Sequence, residues 1–427
     1  VTDPVLRRLW PLGPWPLLLP AAAIAAAAVL ATTAMRSWPY QEWVRTSAEF
    51  HQQNAFAGPI AAAAATYYAG RLTRPDRVFA LPSAPRAGRD SARRHLGLLA
   101  VTFTLAYLVG MAPLTAVTVE HAEHGGPDPL PIATGLLGLW ASIAVGYLIG
   151  VVGRGALWAP ISFVAVFAVV VLGTGGDTFS ALVPVLHVAP AAGRVEALPF
   201  TVYRVAFFLL VAVAAVVAAT AVLRRHRTGH RPVRAMAPLL VPVVLAVPAV
   251  VSTPALFAVE QDVQRVCRTQ RGIEHCVHAA HRSRLPVMEQ ATAAVLTAYG
   301  DDTSGRVRRV YDESLRWATA VDDAASGNTE AHQDVVWVAV QPMSPTDHTG
   351  REVAWLLAGA TACAARSDTT DEERALTVEL ALWLQNGGRA ASSGPLSGIA
   401  PHALRDWMSA HRTGLDTCVL TAADLPG

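Results

Sequence analysis

Seven stretches of 17 to 24 residues, each with at most one charged side chain, lie between Leu17 and Val259 and constrain the fold more than any other feature. A bilayer asks for about 20 mostly apolar residues per helix, since a helix satisfies its own backbone polar groups where no water can. The stretches are Leu17–Ala34, Asn54–Gly70, Leu96–Val119, Pro131–Val152, Leu157–Gly173, Thr201–Leu223 and Ala237–Val259. Each is read as one membrane helix. Asn54–Gly70 is the least regular, being short, alanine-rich and interrupted by Gly58-Pro59. That pattern suits a helix that is tilted, kinked or packed inside a bundle. After Val259 the composition becomes that of a soluble domain, which puts the boundary there. Residues 1–259 are expected to form a transmembrane domain and residues 260–427 a separate one. The expected fold class is an all-α polytopic membrane bundle of about seven transmembrane helices, followed by a mainly helical α+β extracytoplasmic domain.

The 34 basic residues are all arginine. With no lysine there is no Walker A loop to hold nucleotide phosphates and no amine for Schiff-base chemistry. The placement of the arginines orients the chain. With Arg7 and Arg8 in the cytosol, the inner segments 1–16, 71–95, 153–156 and 224–236 hold fifteen, including Arg86, Arg93, Arg94 and Arg154. The outer segments before the tail hold only Arg36, Arg45 and Arg194, with Arg204 near the start of the sixth stretch. By the positive-inside rule this is a multi-pass inner (plasma) membrane protein with a cytoplasmic N-terminus and an extracytoplasmic tail. Met35-Arg36-Ser37 makes a poor cleavage site, so the first helix reads as an uncleaved anchor.

All four cysteines, Cys267, Cys276, Cys363 and Cys418, fall in that tail, as an oxidising compartment would allow. Three pairings are open, and four buried free thiols are the alternative. Cys267–Cys276 with Cys363–Cys418 is preferred, because the first two are close in sequence and the second two tie a late helix to the chain end. The tail carries 22 acidic residues and 15 arginines, a balance of −7. Helices are expected over Pro286–Tyr299, Arg351–Ala365, Asp371–Gln385 and His402–His411, and a strand over Val335–Val340. Its tryptophans, Trp317, Trp337, Trp355, Trp383 and Trp407, read as packing residues.

Chemistry-bearing motifs are sparse. On a helix His275 and His278 would share a face with His281 nearby, which would permit zinc, but no fourth ligand is dictated and Cys276 is expected to be bridged. Gly394-Pro395-Leu396-Ser397-Gly398 lacks the spacing of a nucleophile elbow and reads as a turn. His121 and His124, beside Glu120 and Glu123, form no His-Glu-x-x-His pattern and read as a solvated loop. No span carries a central Asp or Glu, which argues against proton-driven antiport. Gly146 and Gly150 form a small-xxx-small step that permits close helix contact, and Pro242, Pro248 and Pro254 suggest a bent last span. No catalytic residue, cofactor or nucleic-acid partner is implied.

The inner loop 71–95 is the most informative connection. It is arginine-rich, then runs Val78-Phe79-Ala80-Leu81-Pro82-Ser83-Ala84-Pro85-Arg86, and enters the third span through Arg93-Arg94. This suits a short amphipathic element on the inner face. Two spans, this loop, four spans and an irregular outer segment (174–199) between the fifth and sixth together resemble the type-2 ATP-binding-cassette exporter permeases. Asn54–Gly70 looks like the second span of actinobacterial members. So do Cys276-Val277-His278-Ala279-Ala280-His281 before Leu285-Pro286, Trp355-Leu356-Leu357, and Leu415-Asp416-Thr417-Cys418 before Leu425-Pro426. The resemblance implies a coupling loop at Val78, Phe79, Leu81, Pro82, Arg86, Arg93 and Arg94. It also implies a cytoplasmic ATP-binding-cassette ATPase subunit as partner, and a homodimer or a heterodimer with a related permease. The chain itself would then be no enzyme. The seventh span and the large outer domain depart from the six-helix family core. A membrane-anchored sensor or assembly factor with an extracytoplasmic binding domain is the alternative, and a membrane-embedded hydrolase using His275–His281 a third reading.

Overall fold

Prolines and small polar residues set where the apolar helices begin and end. The computed structural model describes residues 14–72, 87–228, 237–252, 254–300, 306–317, 335–340, 350–389 and 394–426. The chain divides into two compact units, Val1–Ala191 with Val195–Ala258, and Ala192–Arg194 with Val259–Gly427.

The first unit is helical: α1 (Trp15–Ala31), α2 (Trp43–Gln52), α3 (Asn54–Leu72), α4 (Ala87–His121), α5 (Pro129–Gly153), α6 (Trp158–Gly173), α7 (Leu198–Thr228) and α8 (Leu240–Ser252). At the start of α5 the Asp128 carboxylate accepts from the Leu130 N–H at 3.0 Å, and Pro129 fills the first turn, where a missing N–H costs nothing. Among the described residues three helices are long and apolar enough to cross a membrane: Ala92–His121, Pro129–Gly153 and Leu198–Arg224. Trp15–Ala31, Trp158–Gly173 and Ala237–Ser252 are apolar but shorter. The 19-residue α3 has the length without the apolarity, since it is rich in alanine and carries Asn54, Thr66, Tyr67, Tyr68 and Arg71. The last stretch differs from expectation. Its helix stops at Ser252, and Phe257–Val259 is a short strand (β2) paired with β1 (Arg194–Glu196).

The pattern of exposure is inverted relative to a water-soluble bundle. Large apolar side chains point outward, among them Leu157 at 84 %, Val251 at 78 % and Leu30 at 72 % exposure, a surface suited to hydrocarbon. Inside, α3 is almost wholly covered, with Ala57, Ala61, Ala62, Ala65 and Ala69 near zero exposure. Apolar side chains gain little by leaving lipid, so close van der Waals packing and interhelical hydrogen bonds must hold such a core. Gly146 and Gly150 of α5 supply the close approach. A Cβ on Gly146 would overlap the Ala62 backbone, and one on Gly150 the Thr66 carbonyl. The Thr66 hydroxyl lies within hydrogen-bond distance of two carbonyl oxygens, Gly146 at 2.7 Å and Ala62 at 2.8 Å. Gly146→Leu should therefore lower the midpoint of thermal aggregation in detergent, since overpacking against backbone costs about 1–3 kcal/mol or more. Gly97→Ala, which meets nothing within 4 Å, should leave that midpoint unchanged or slightly raised.

The second unit has a four-stranded sheet in the order β3 (Arg265–Gln270), β4 (Ile273–His278), β5 (Arg309–Asp312) and β6 (Val335–Val338). The first pair is antiparallel and the other two are parallel. Arg271 and Gly272 both take positive φ, 53° and 77°, as a two-residue primed hairpin turn demands. Helices α9 (Leu285–Tyr299), α10 (Arg351–Leu357), α11 (Ala360–Ala365), α12 (Asp371–Gln385), α13 (Pro401–Ala410) and α14 (Arg412–Thr417) complete it. Their core includes Val277, Met288, Val310, Leu357, Leu380 and Met408. Thr370 and Glu373 form a reciprocal capping box at the start of α12. The single helix expected over Arg351–Ala365 is two, because Gly359 turns left-handed (φ 80°) where the Leu415 carbonyl occupies the space of a side chain.

Candidate functional site

Of the expected coupling loop, Val78, Phe79, Leu81, Pro82 and Arg86 lie outside the described residues. Arg93 and Arg94 are exposed in the early turns of α4.

The most concentrated polar chemistry of the helical unit lies elsewhere, around α2, an amphipathic helix in the connection between the first two apolar stretches. The Thr46 and Thr118 hydroxyls meet at 2.7 Å, and Ser47 Oγ accepts from the Asp128 N–H at 2.9 Å. Gln52 brackets Leu186, donating to its carbonyl and accepting from its N–H, both at 3.0 Å. Tyr107 donates to the Phe50 carbonyl at 2.6 Å. One short helix is thus bonded to the end of α4, the start of α5 and the segment before α7.

The centre of this arrangement is ionic. His51 Nε2 lies 2.5 Å from Glu196 Oε1, and Arg204 Nη1 lies 3.9 Å from Glu196 Oε2. The Thr201 hydroxyl donates to Glu196 Oε2 at 3.4 Å. Arg204 Nη2 donates to the carbonyls of Val183 at 3.1 Å and Pro184 at 2.5 Å. The guanidinium is flanked by the rings of Phe200 and Phe208, at 5.3 and 5.7 Å. The three charged or polar side chains are buried to 2 % exposure or less. Burial pushes the His51 imidazole below its ordinary value, with Glu196 opposing and Arg204 adding to the fall. Burial would raise Glu196, but His51, Arg204 and Thr201 outweigh it and hold the carboxyl below the ordinary range. The consistent state is an Arg204–Glu196 ion pair with a neutral His51 donating to the carboxylate. It holds no nucleophile; it clamps residues 183–204 to α2.

In the second unit the histidines are arranged differently from expectation. His275 and His278 stand on strand β4 and His281 in the 3₁₀ turn Ala279–Arg284, so there is no shared helical face. Three residues apart on a strand, His275 and His278 point to opposite faces. His278 Nδ1 accepts from the Ala280 N–H at 3.1 Å, which leaves Nε2 to donate to Glu260 Oε2 at 3.2 Å. His281 Nδ1 lies 2.5 Å from Asp312 Oδ2, and Asp312 also accepts from the N–H groups of His278 and Ser314. Burial would raise the Asp312 carboxyl, but His281 and Ser314 hold it below its ordinary value. These bonds brace the ends of the two central strands, β4 and β5. Among the described residues the one group of three close donor atoms, Cys267, Glu274 and Cys276, has both sulfurs committed to a disulfide. The pairs Cys267–Cys276 and Cys363–Cys418 are both formed.

His275 is 2 % exposed, and burial lowers its affinity for a proton despite the opposing charge of Glu289 on α9. A group whose folded value is depressed contributes stability above the unfolded value, and that stability is lost as pH falls. Amide exchange in Ile273–His278 should therefore quicken as pH falls below about 6.5, after correction for intrinsic exchange. His275→Phe should flatten that dependence, measured by exchange mass spectrometry on the full chain.

No sequence pattern marks the ionic cluster, since Glu196 sits 145 residues from His51, in the segment 174–199 that the sequence reads as irregular. The available signal was Arg204, a lone charge in an apolar stretch that needed a partner. Comparison of the chain with protein-family models, with curated proteins and with solved structures finds no match in any of the three.

Proposed function

We infer that this chain is the membrane-spanning permease subunit of an ATP-driven exporter, worked by a separate cytoplasmic ATP-binding-cassette ATPase. The observation that carries this reading is the clamp at α2. One end of the helical unit is held by a bonded cap in which a buried ion pair fixes the segment 183–204. The opposite helix ends carry the arginine-rich connections. A pathway that opens alternately to either side needs such a closure at its outer end, with a handle for the motor at its inner end. Arg93 and Arg94, with the loop before them, are that handle. Two copies, or this chain and a related one, enclose the pathway in the plasma membrane, with the disulfide-bonded unit outside the cell.

Co-purification from native membranes in mild detergent tests the assignment. The expected result is a second, soluble chain with a Walker A loop and ATPase activity that the permease alone lacks. Repeated recovery of the chain without an ATPase would overturn it. The second unit, with its own core and its acidic excess, supports a different reading as the recognition part of a membrane-anchored sensor or assembly factor. Ligand binding in the absence of any ATPase partner distinguishes the two.

A further inference from the structure

One of the two disulfides joins residues that the fold already holds together. Cys267 and Cys276 are directly opposed in the β3–β4 hairpin, whose register covers six pairs from Arg265–His278 to Gln270–Ile273. The pairing and the Arg271-Gly272 turn keep them face to face, so opening the bond leaves them in place. Among the described strands β3 ends the sheet, and Cys267 on it is exposed. Cys363 and Cys418 are only 2 % and 1 % exposed. A reductant in water therefore reaches Cys267–Cys276 first.

A third donor stands beside the two sulfurs. Side chains alternate along a strand, so Glu274 and Cys276 share one face of β4, and Cys267, paired with Cys276, shares it too. Both sulfurs and a Glu274 carboxylate oxygen lie within 4.8 Å of one another. A tetrahedral zinc ion sets such donors about 3.5–3.8 Å apart, a spacing that rotation about the side-chain bonds supplies once the sulfurs are free. The carboxylate is already oriented. Tyr311 donates to Glu274 Oε2 at 2.7 Å and Arg309 Nε lies 4.0 Å from the same oxygen, so Oε1 remains for a metal. Hydrogen bonds of this kind fix metal-binding carboxylates and strengthen the site. His278, on the same face, supplies no fourth ligand, because its ring nitrogens engage the Ala280 N–H and Glu260. A water molecule takes that position.

We propose that Cys267, Cys276 and Glu274 form a zinc site that the disulfide masks and that reduction opens. The site is independent of the exporter assignment. A dithiol reductant breaks the S–S bond, gives it two electrons and two protons, and is itself oxidised to a disulfide. The two thiols then release their protons to water as Zn²⁺ binds both thiolates and the carboxylate. Two thiolates select zinc over the hard ions Mg²⁺ and Ca²⁺. The purified full chain in detergent, opened with a water-soluble phosphine that is then removed without air, is titrated with Co²⁺ as a coloured stand-in for zinc. One Co²⁺ per chain should bind with the visible bands of tetrahedral cobalt and a sulfur-to-cobalt charge-transfer band. Zn²⁺ should displace it, and the oxidised chain should show neither band. Loss of an outer partner alone costs about 10–100-fold in affinity, so Tyr311→Phe should weaken binding about tenfold and Glu274→Gln at least tenfold. Cys267→Ser, which removes a ligand, should weaken it at least about a hundredfold. A signal that survives Cys267→Ser would place the metal elsewhere and overturn the proposal. So would the absence of signal in an unaltered chain whose Cys267 and Cys276 accept a thiol label, or a bridge that the phosphine cannot open while the chain is folded. These last two readings need no variant, so they stand even if a substituted chain fails to fold.

Discussion

Glu196→Gln is expected to destabilise the helical unit by about 3–5 kcal/mol, the range for removing one partner of a buried ion pair. The reason lies in what remains. Arg204 is fully buried, its Nη2 is spent on the Val183 and Pro184 carbonyls, and its nearest carboxylate would be gone. A guanidinium cannot shed its proton to escape this, so the loss should persist across pH 5 to 8. Arg204→Met should behave otherwise. It leaves Glu196 facing His51, and that pair can take up a proton from solvent, so the charge left behind is neutralised. A variant whose folded state gains a proton recovers stability as pH falls, so its deficit should be smaller near pH 5.5 than near pH 8. Combining the two should restore much of the loss, because neither charge is then buried alone. Thermal aggregation midpoints of the full chain in detergent measure all three. Single losses below about 1 kcal/mol would mean that water reaches these side chains and that the clamp is weak.

What could be foreseen follows from how local the determining interaction is. The apolar stretches became helices because a run of such residues decides its own backbone state, and α12 emerged with the expected bounds, Asp371–Gln385, because its cap and its periodicity are both local. Errors arose where a distant residue decides. The helix expected over Arg351–Ala365 is broken at Gly359 by a carbonyl from Leu415, which no local pattern announces. His275, His278 and His281 suggested a helical face through their spacing alone. The Arg271-Gly272 turn and the facing cysteines make that segment a hairpin strand instead. The ionic clamp was the largest omission. Seen one at a time, His51 and Glu196 are ordinary polar residues in connecting segments, and only the return of residues 183–204 onto α2 gives them a shared function.

The second large effect concerns the two disulfides, which should not contribute equally. In the chain-entropy account a cross-link stabilises by restricting the unfolded chain, and does so more for a longer loop. Cys363–Cys418 closes 55 residues and Cys267–Cys276 only 9, which correspond to about 4 and about 2.5 kcal/mol. Local structure widens the difference. Cys267 and Cys276 face each other in a hairpin whose register runs from Arg265–His278 to Gln270–Ile273, so the turn keeps them together without the bond. Cys363 and Cys418 join α11 to the end of α14, where the other ties include Arg366 donating to the carbonyls of Thr417 and Cys418, the Arg306–Asp416 ion pair and the packing of Leu415 on Gly359. Cys363→Ala with Cys418→Ala should therefore free residues 401–426 to exchange their amides far faster, while Cys267→Ala with Cys276→Ala should perturb only the hairpin. The reverse order, measured on the full chain, would show that the long loop is already structured when unfolded. The same bonds bear on orientation. Protein from native membranes should resist thiol labelling until reduced, because such bonds persist in an oxidising compartment. Four labelled cysteines without reduction would place residues 260–427 in the cytosol, and the proposed outer position of the clamp and inner position of the coupling loop would then be exchanged.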